Sequence, residues 1–286
     1  MSDELATTTR PKRLRKLAAG SAVMVGMLAV GTAAGAHYGT YFGSNRGNAA
    51  NMSCPGGMAR LSQVFDESAS IFPGDPPPVI DVVFTVGTDG FLLEEVTTGT
   101  HTGTHLDAPA HFHEGAVTVD DLTAEQLVFT PYVIDVRDRV AAATTVEEAA
   151  FQLTWDEIRE YERRNGRIPA GSMVILFTGF QYLFGTEAYL GDAPGFAPEA
   201  VQRLFDERGA KGVGSDTFGP DATTDEDYLA TETALANGGV VLTNLANLDV
   251  LHVTGDLIMS PAVRLRDGSG YQVDVLACLG RGRERS

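Results

Sequence analysis

Basic side chains are scarce in this 286-residue sequence. Lys and Arg total 21 against 38 Asp and Glu, which gives a formal net charge of −17 at pH 7. Removal of the first 36 residues, which hold five basic and two acidic side chains, would leave 16 basic against 36 acidic ones. A protein of this sign repels phosphate backbones, which argues against nucleic-acid binding. It also disfavours strongly anionic substrates unless a metal supplies local positive charge.

Cysteine is also scarce, with only Cys54 and Cys278. Neither has a His or Lys close in sequence that would lower the pKa of its thiol, so the sequence offers no candidate cysteine nucleophile. In an oxidising compartment the two could form a disulfide that ties the ends of a domain together; two free thiols are the alternative. The sequence also lacks internal repeats, heptads and low-complexity blocks, which excludes repeat and coiled-coil architectures.

The N-terminus has a different composition from the remainder. Five basic residues between positions 10 and 16 precede an uncharged apolar run, and Ala34-Gly35-Ala36 matches a small-x-small cleavage pattern. We therefore predict a secretory signal peptide over residues 1–36 and an exported, extracytoplasmic protein. The alternative is an uncleaved membrane anchor, because residues 17–36 are 20 consecutive uncharged residues, just enough to cross a bilayer.

The remaining boundaries follow from composition. Residues 37–57 are rich in Gly, Asn and Ser and are expected to form a linker. A single domain is expected over 58–280, followed by a short basic tail over 281–286. Within the domain, apolar runs typical of strands cover residues 79–86, 133–136, 173–177, 239–242 and 271–276.

Helical patterns separate these strands. Thr154 and Glu157 form a capping box, which predicts a helix from that point to residue 164. Pro198 favours the first turn of a second helix, which Gly209 should end. A short third helix is predicted over 232–237. Alternating strands and helices of this kind predict a single α/β domain.

Four of the six histidines lie between residues 101 and 113, which read His-Thr-Gly-Thr-His-Leu-Asp-Ala-Pro-Ala-His-Phe-His. Read as the start of a strand, this segment directs His101, His105 and Asp107 to one face. Gly103 lies between the imidazoles and has no side chain to fill the space of an ion. Two imidazoles and one carboxylate, with one position left open, are typical of a catalytic divalent-metal site. We therefore predict these three residues as ligands of Zn²⁺ or Mn²⁺.

Two further histidines follow in the same segment. Pro109 should end the strand and turn the chain, which could bring His111 back over the same spot. There it is a candidate for proton transfer or for an additional ligand. His113 is either a hydrogen-bonding partner behind the ligands or a solvent-facing loop residue. His252, far along the chain, is predicted to lie in a surface turn.

The segment resembles the signature of the metal-dependent cyclase family, which includes bacterial kynurenine formamidases. That signature runs His-x-Gly-Thr-His-x-Asp-x-Pro-x-His, and residues 101–111 fill it without a gap. Further similarity within residues 58–279 is carried by residues 60–62, 72–76, 133–136, 169–179, 214–217 and 247–249. The resemblance implies a β-rich core with helices packed outside, assembly as a homodimer or homotetramer, and a catalytic role for His111.

One departure from the family concerns a second metal. The resemblance implies a His and a Glu twelve residues apart in the later half of the chain. Anchored on Asp216, Asp221 and Asp227, these two positions fall on Thr231 and Thr243. Threonine is a poor ligand beside imidazole or carboxylate, so we predict one metal ion rather than two.

Other residues have two interpretations each. Asp216 and Asp221 either line the metal site or hydrogen-bond the local backbone of a turn. The aromatic residues that either shape a substrate pocket or pack in the core, with core packing favoured for most, are Phe65, Phe72, Phe84 and Trp155.

These observations predict an exported, metal-dependent hydrolase that opens an amide or ester bond of a small molecule. The resemblance implies aryl formamides, cyclic amides such as isatin, and lactones as substrate classes. A polyketide-type cyclase, which activates a carbonyl without net hydrolysis, is the first alternative. A binding protein that has lost its activity is the second, although every first-half ligand of the signature is retained.

Overall fold

The computed structural model describes residues 54–253 and 255–281. The expected signal segment, most of the expected linker and residues 282–286 lie outside this range. Among the described residues, no helix combines the length and the apolar character that crossing a membrane requires.

Thirteen strands are present in the described residues. They are β1 Gly57–Arg60, β2 Val79–Phe84, β3 Leu93–Thr97, β4 His105–Asp107, β5 Val128–Asp135, β6 Gln152–Leu153, β7 Ser172–Phe177, β8 Gly195–Phe196, β9 Gly212–Ser215, β10 Val240–Thr243, β11 Leu257–Met259, β12 Gly270–Gln272 and β13 Leu276–Leu279. The α-helices of the same part of the chain are α1 Val86–Asp89, α2 Arg137–Ala142, α3 Val146–Ala149, α4 Trp155–Asn165, α5 Pro198–Arg208 and α6 Leu229–Ala236.

Nine of the strands form one sheet in the order β1-β13-β11-β5-β7-β9-β10-β4-β12. The central pairs β5/β7, β7/β9 and β9/β10 are parallel, whereas the outer pairs are antiparallel. The sheet curls into a half-barrel with few helices around it. The predicted α/β class and β-rich core are therefore confirmed.

Two apolar clusters lie on the two faces of this sheet. In β5, Tyr132 and Ile134 belong to the first cluster, while Phe129 and Val133 belong to the second. This division follows the period of two along a strand. The first cluster also contains buried residues of α4, α5 and α6, so these helices cover that face. The second cluster draws on β4, β10, β11 and β13, so the curl of the sheet encloses it.

The helices begin and end largely where the sequence predicts. The Thr154–Glu157 capping box precedes α4, and Pro198 opens α5. Gly209 ends α5 with φ +62, a left-handed conformation that glycine adopts readily. α6 is the exception, because it begins at Leu229 and not at residue 232.

Two strand predictions need correction. The strand expected over residues 79–86 ends at Phe84, because Val86 already starts the single turn of α1. The strand expected over residues 271–276 divides into β12 and β13. The division arises because β12 pairs with β4, whereas β13 pairs with β1 and β11 on the far side of the sheet.

The two cysteines form a disulfide between Cys54 and Cys278, with their Cα atoms 5.0 Å apart. The first and last strands, β1 and β13, pair beside it. These contacts tie residues 54–57, expected as the end of the linker, to the last strand of the body. Of the two alternatives for the cysteines, the disulfide is the one observed.

Candidate metal centre

The histidine-rich segment is a turn followed by a short strand. The expectation of one continuous strand from residue 101 is wrong, because only His105–Asp107 pair in the sheet. Gly103 has φ +71, a left-handed conformation that a strand does not allow. A Cβ atom at this position would lie 3.0 Å from Cδ2 of Phe65, so the turn also requires a residue without a side chain. This turn directs His101 towards Asp107.

Three side chains of the segment converge. Single ligand atoms of His101, Asp107 and His111 lie within 4.8 Å of one another. Nδ1 of His101 is 2.7 Å from Oδ1 of Asp107, and its Nε2 is 2.9 Å from the hydroxyl of Ser269. Pro109 starts a 3-10 turn over Pro109–His111. The chain reversal predicted at this proline therefore occurs, and it stacks the ring of His111 on that of His101 with centroids 3.9 Å apart.

His105 approaches the same carboxylate from the strand. It is buried, and its Nε2 lies 3.2 Å from Oδ1 of Asp107. Its Nδ1 lies 2.8 Å from the carbonyl oxygen of Gly103 and 2.9 Å from the hydroxyl of Thr243. Since the carbonyl can only accept, Nδ1 carries a proton, and Nε2 is the nitrogen that a metal ion would take.

The donor set fits a divalent metal. Nε2 of His105 and Nδ1 of His101 both face one oxygen of Asp107, so two imidazole nitrogens and a carboxylate converge where a metal ion would lie. Burial alone would raise the pKa of the Asp107 carboxyl, but the charges and hydrogen bonds of the two imidazoles outweigh it and lower that pKa well below its usual range. Imidazole and carboxylate donors suit Zn²⁺, and Mn²⁺ where water completes the sphere.

His111 lies at the open side of this cluster. The residue is exposed, unlike His105 and Asp107. Loss of hydration at its ring, helped by repulsion from His101 and His105, lowers the pKa of His111. The carboxylates of Asp107 and Asp75 oppose this shift. Asp75 acts on His111 from the loop before β2, outside the histidine-rich segment.

The two later aspartates have structural roles. The buried carboxylate of Asp216 accepts hydrogen bonds from the backbone N–H groups of Thr178, Gly179 and Gln181 and from the Thr178 hydroxyl. Asp221 accepts from the N–H groups of Ala230 and Thr231 at the start of α6. Burial raises the pKa of both carboxyls, and these donors oppose the rise. Both carboxylates therefore bond backbone N–H groups, but those that Asp216 contacts lie 35 to 38 residues away in sequence and not in a local turn.

The remaining candidates are dispersed. The Thr231 hydroxyl donates to Asp221, whereas Thr243 contacts His105. Nε2 of His113 lies 3.4 Å from the Glu232 carbonyl. His252, which is half-buried and not fully at the surface, pairs with Asp256, with 2.9 Å between Nδ1 and Oδ1.

The candidate aromatic residues occupy different environments. Trp155 is buried in the core, as core packing predicts, whereas Phe84 is exposed. Phe65 packs beside Gly103. Phe72 contacts Phe218 and Tyr228 edge-on, with centroid distances of 5.6 and 6.0 Å.

Sequence reasoning missed Ser269 and Asn244. Ser269 contacts His101, and the Asn244 side-chain amide donates to the Gly103 carbonyl at 2.8 Å. In the sequence, the two glycines that flank Ser269, Gly268 and Gly270, were the signal that another part of the chain lies close to this segment. A Cβ atom on Gly270 would lie 2.6 Å from the His101 ring.

Known proteins resemble this chain over most of its length. Residues 59–222 match the family described as “Putative cyclase”. The isatin hydrolase of Roseibium aggregatum is 27% identical over 241 residues, which cover 78% of this chain and 89% of the relative. The kynurenine formamidase of Bacillus mycoides is 24% identical over 217 residues, covering 74% and 93%.

A solved structure gives the same result. Isatin hydrolase A from Ralstonia solanacearum superposes with a TM-score of 0.70 at 27% identity, covering 90% of this chain and 99% of that one. The chain therefore belongs to the cyclase family and is a hydrolase of that family.

Proposed function

We propose that this protein hydrolyses a small cyclic or aryl amide, or a lactone, with one divalent metal ion held by His101, His105 and Asp107. The observation that carries the proposal is the approach of two imidazole nitrogens to a single oxygen of Asp107, at 2.7 and 3.2 Å. A divalent metal supplies a Lewis acid that polarises a carbonyl and makes water a better nucleophile near neutral pH.

The protein's own residues would orient the ligands and transfer the proton. Gly103 and Thr243 hold His105 through Nδ1, so that Nε2 stays directed at Asp107. Ser269 fixes the ring of His101 from its other nitrogen. His111, stacked on His101 at the exposed side, is positioned to take a proton from the attacking water and return it to the leaving nitrogen or oxygen.

The aromatic residues favour a substrate with a flat ring. Phe72 lies on the same loop as Asp75, whose charge influences His111, and it contacts Phe218 and Tyr228. Edge-to-face aromatic contacts provide apolar walls for a planar group. The names of the relatives point the same way, since isatin and kynurenine derivatives are aromatic amides.

Export of the protein belongs to the same proposal. The Cys54–Cys278 disulfide supports it, because disulfides persist mainly in oxidising compartments. The predicted signal segment supports it as well. Sequencing the N-terminus of the protein recovered outside the cytoplasm tests this point: a start near residue 37 is expected, and an intact N-terminus in the membrane fraction would favour the anchor.

Metal content per chain is the decisive experiment for the site. Elemental analysis of protein purified without chelators should give about one zinc or manganese per chain. Asp107→Ala should abolish binding, whereas the surface variant Asp138→Ala should retain it. Metal in the Asp107 variant at the normal level would contradict the ligand assignment, and two ions per chain would contradict the single-metal proposal.

Substrate class is tested on the same preparations. The metal-loaded protein should open isatin, an aryl formamide or an aromatic lactone, with the Asp107→Ala variant as the inactive control. Hydrolysis of none of the three, with normal metal content, would favour the alternative of a cyclase that activates a carbonyl without hydrolysis.

A further inference from the structure

A buried tyrosine and a buried asparagine are linked to the Nδ1 side of the His105 ring through one carbonyl. Tyr189 belongs to a 3-10 turn over Glu187–Leu190, and Asn244 directly follows β10. Only 2% of Tyr189 and 1% of Asn244 are exposed. A polar side chain buried to this extent costs free energy unless it is hydrogen-bonded, so its partners show what it holds in place.

The hydrogen bonds of these two side chains have a fixed direction. Nδ2 of Asn244 donates to the carbonyl of Gly103 at 2.8 Å, and a carbonyl cannot donate. The other end of the amide, Oδ1, therefore faces the hydroxyl of Tyr189, which donates to it at 2.6 Å. The hydroxyl also lies 2.9 Å from the main-chain oxygen of Asp216. Burial raises the pKa of the Tyr189 hydroxyl, and the charge of Asp216 adds to the rise, so the hydroxyl keeps the proton that it donates.

The Gly103 carbonyl joins this pair to the candidate metal centre. Its two lone pairs face Nδ2 of Asn244 and Nδ1 of His105, each 2.8 Å away. Gly103 lies before the first residue of β4, so the ladder of the sheet does not orient its carbonyl. The amide of Asn244 does so, because it occupies the lone pair that His105 leaves.

The main chain of Asn244 is held next to this turn. Its φ is +52, in the left-handed region that asparagine occupies more readily than most residues. Its carbonyl accepts from the hydroxyl of Thr104 at 2.6 Å, and its N–H donates to the carbonyl of Thr217 at 2.8 Å. The main chain is therefore fixed on both sides of the side chain, so that the amide reaches Gly103 from a defined position.

The groups around His105 differ in which ring nitrogen they favour for a proton. Oδ1 of Asp107 lies 3.2 Å from Nε2 and by itself attracts a proton to that nitrogen. The Thr243 hydroxyl lies 2.9 Å from Nδ1 and 3.1 Å from Nε2, and because it can donate or accept, it favours neither. The Gly103 carbonyl contacts Nδ1 and can only accept, so it is the group that selects Nδ1 for the proton.

We propose that Asn244 and Tyr189 are positioning residues, which hold the Gly103 carbonyl against Nδ1–H of His105 and so keep Nε2 for the metal ion. The proposal rests on the metal role of His105 in the proposed function. A partner that fixes the second nitrogen of a ligating histidine also fixes the orientation of the ring and makes the ligand more basic. Without the amide, the carbonyl can turn away from the ring, and a proton can move to Nε2, where it blocks the metal.

Competition of Zn²⁺ with a chromophoric chelator measures the effect on metal affinity in the protein as purified. Asn244→Gly removes the amide and suits a positive φ, and it should weaken the affinity about 10- to 100-fold. Asn247→Gly is the matched control, because Asn247 also has φ +52 and donates from its amide to a main-chain carbonyl, that of Arg60 at 2.9 Å. The control should bind Zn²⁺ as tightly as the wild-type protein does.

A second pair of variants removes one buried hydroxyl each, and it decides the question if Asn244→Gly does not fold. Tyr189→Phe keeps the ring contacts with Phe184 and Phe218. It should weaken the affinity about tenfold, as for the loss of one buried hydrogen bond. Tyr132→Phe is its control, because the Tyr132 hydroxyl donates to the Gly166 carbonyl at 2.6 Å from within the first apolar cluster. This control should leave the affinity unchanged.

Proton NMR of the Zn²⁺-loaded protein separates positioning from a general loss of stability. In the wild-type protein, the Nδ1 proton of His105 should give a slowly exchanging downfield signal, because it is bonded to a buried carbonyl. The signal should shift and exchange faster in Asn244→Gly and Tyr189→Phe. It should stay unchanged in both controls, even where their denaturant midpoints fall by the same amount.

The outcomes distinguish the positioning role from the metal site itself. Wild-type affinity with an unchanged Nδ1 signal in Asn244→Gly or Tyr189→Phe, or equal losses in the controls, would overturn the positioning role and leave the proposed function intact. A wild-type protein that binds no Zn²⁺ would overturn the proposed function, and the positioning role with it.

Discussion

At the scale of single residues, His111 has two candidate roles, metal ligand and proton carrier. Its ring stacks on that of His101 with centroids 3.9 Å apart, yet the residue is exposed. The rings of His101 and His105 both contact Asp107 without it. We expect His111→Ala to keep its metal and to lose turnover at least about a hundredfold, as for removal of a general acid–base group.

Turnover on the best substrate and metal content of the same sample check this prediction. His252→Ala is the matched control, because that histidine pairs with Asp256 and is not part of the converging group. Loss of metal from the His111 variant would identify His111 as a ligand, and unchanged turnover would make it a bystander.

Thr243 provides a second prediction at this scale. Its hydroxyl contacts the His105 ring, whereas the Thr231 hydroxyl contacts Asp221. Thr243→Val should weaken metal affinity by about 10- to 100-fold, the usual effect of removing a partner that orients a ligand. Competition with a chromophoric chelator measures this affinity. Thr231→Val should change it little, and equal losses in both variants would argue against a specific role for Thr243.

The spacing within residues 101–111 was sufficient to predict which histidines and which carboxylate meet. Local chain geometry decides that meeting, since one turn at Gly103 and one at Pro109 bring the groups together. Ser269 and Asn244 could not be predicted in the same way. They reach the site from more than 130 residues away in sequence, through the pairing of β4 with β12 and β10.

At the scale of elements, the turn before β4 is the feature most sensitive to substitution. An Ala in a left-handed conformation costs about 1–2 kcal/mol. Gly103→Ala should cost more than that, because its Cβ would also lie 3.0 Å from the Phe65 ring. Gly115 has a similar φ of +77 with nothing within 4 Å, so Gly115→Ala measures the conformational cost alone.

Denaturant unfolding of the two variants gives both free energies of unfolding. The difference between them is the cost of the contact with Phe65, and metal binding should weaken only in the Gly103 variant. Equal free energies would show that Phe65 moves away without penalty and does not brace the turn.

Local signals predicted elements well where the cause is local. The Thr154–Glu157 capping box and the Pro198/Gly209 pair each lie within or next to the helix that they start or end. The start of α6 was missed because its N-cap residue is Tyr228, and its first N–H groups are capped instead by Asp225 and Asp221, four to ten residues earlier. No pattern next to the helix reveals a cap of that kind.

At the scale of the whole molecule, the α/β class was predictable but the strand order was not. β4 is fourth in the chain, yet it lies between β10 and β12. Long-range pairing of this kind depends on which apolar faces fit together across the curled sheet. The local patterns of a single sequence do not show which strands will pair. The metal centre lies at this part of the sheet, where β4 pairs with β10 and β12.

The disulfide is the one covalent constraint on that arrangement within the described residues. It closes a loop of 224 residues between the two ends of the body. In the chain-entropy model, a loop of this length contributes about 5 kcal/mol to the free energy of unfolding. We therefore expect a reductant to lower the denaturant midpoint of the wild-type protein substantially.

The double variant Cys54→Ala/Cys278→Ala controls for other effects of the reductant. It should unfold at the lowered midpoint in both conditions, because it has no bond to reduce. Since β1 and β13 pair by hydrogen bonds beside the disulfide, the reduced protein should still fold and keep its metal. A wild-type midpoint that does not respond to full reduction would mean that the unfolded chain already holds its ends together, and that the stabilising effect lies elsewhere.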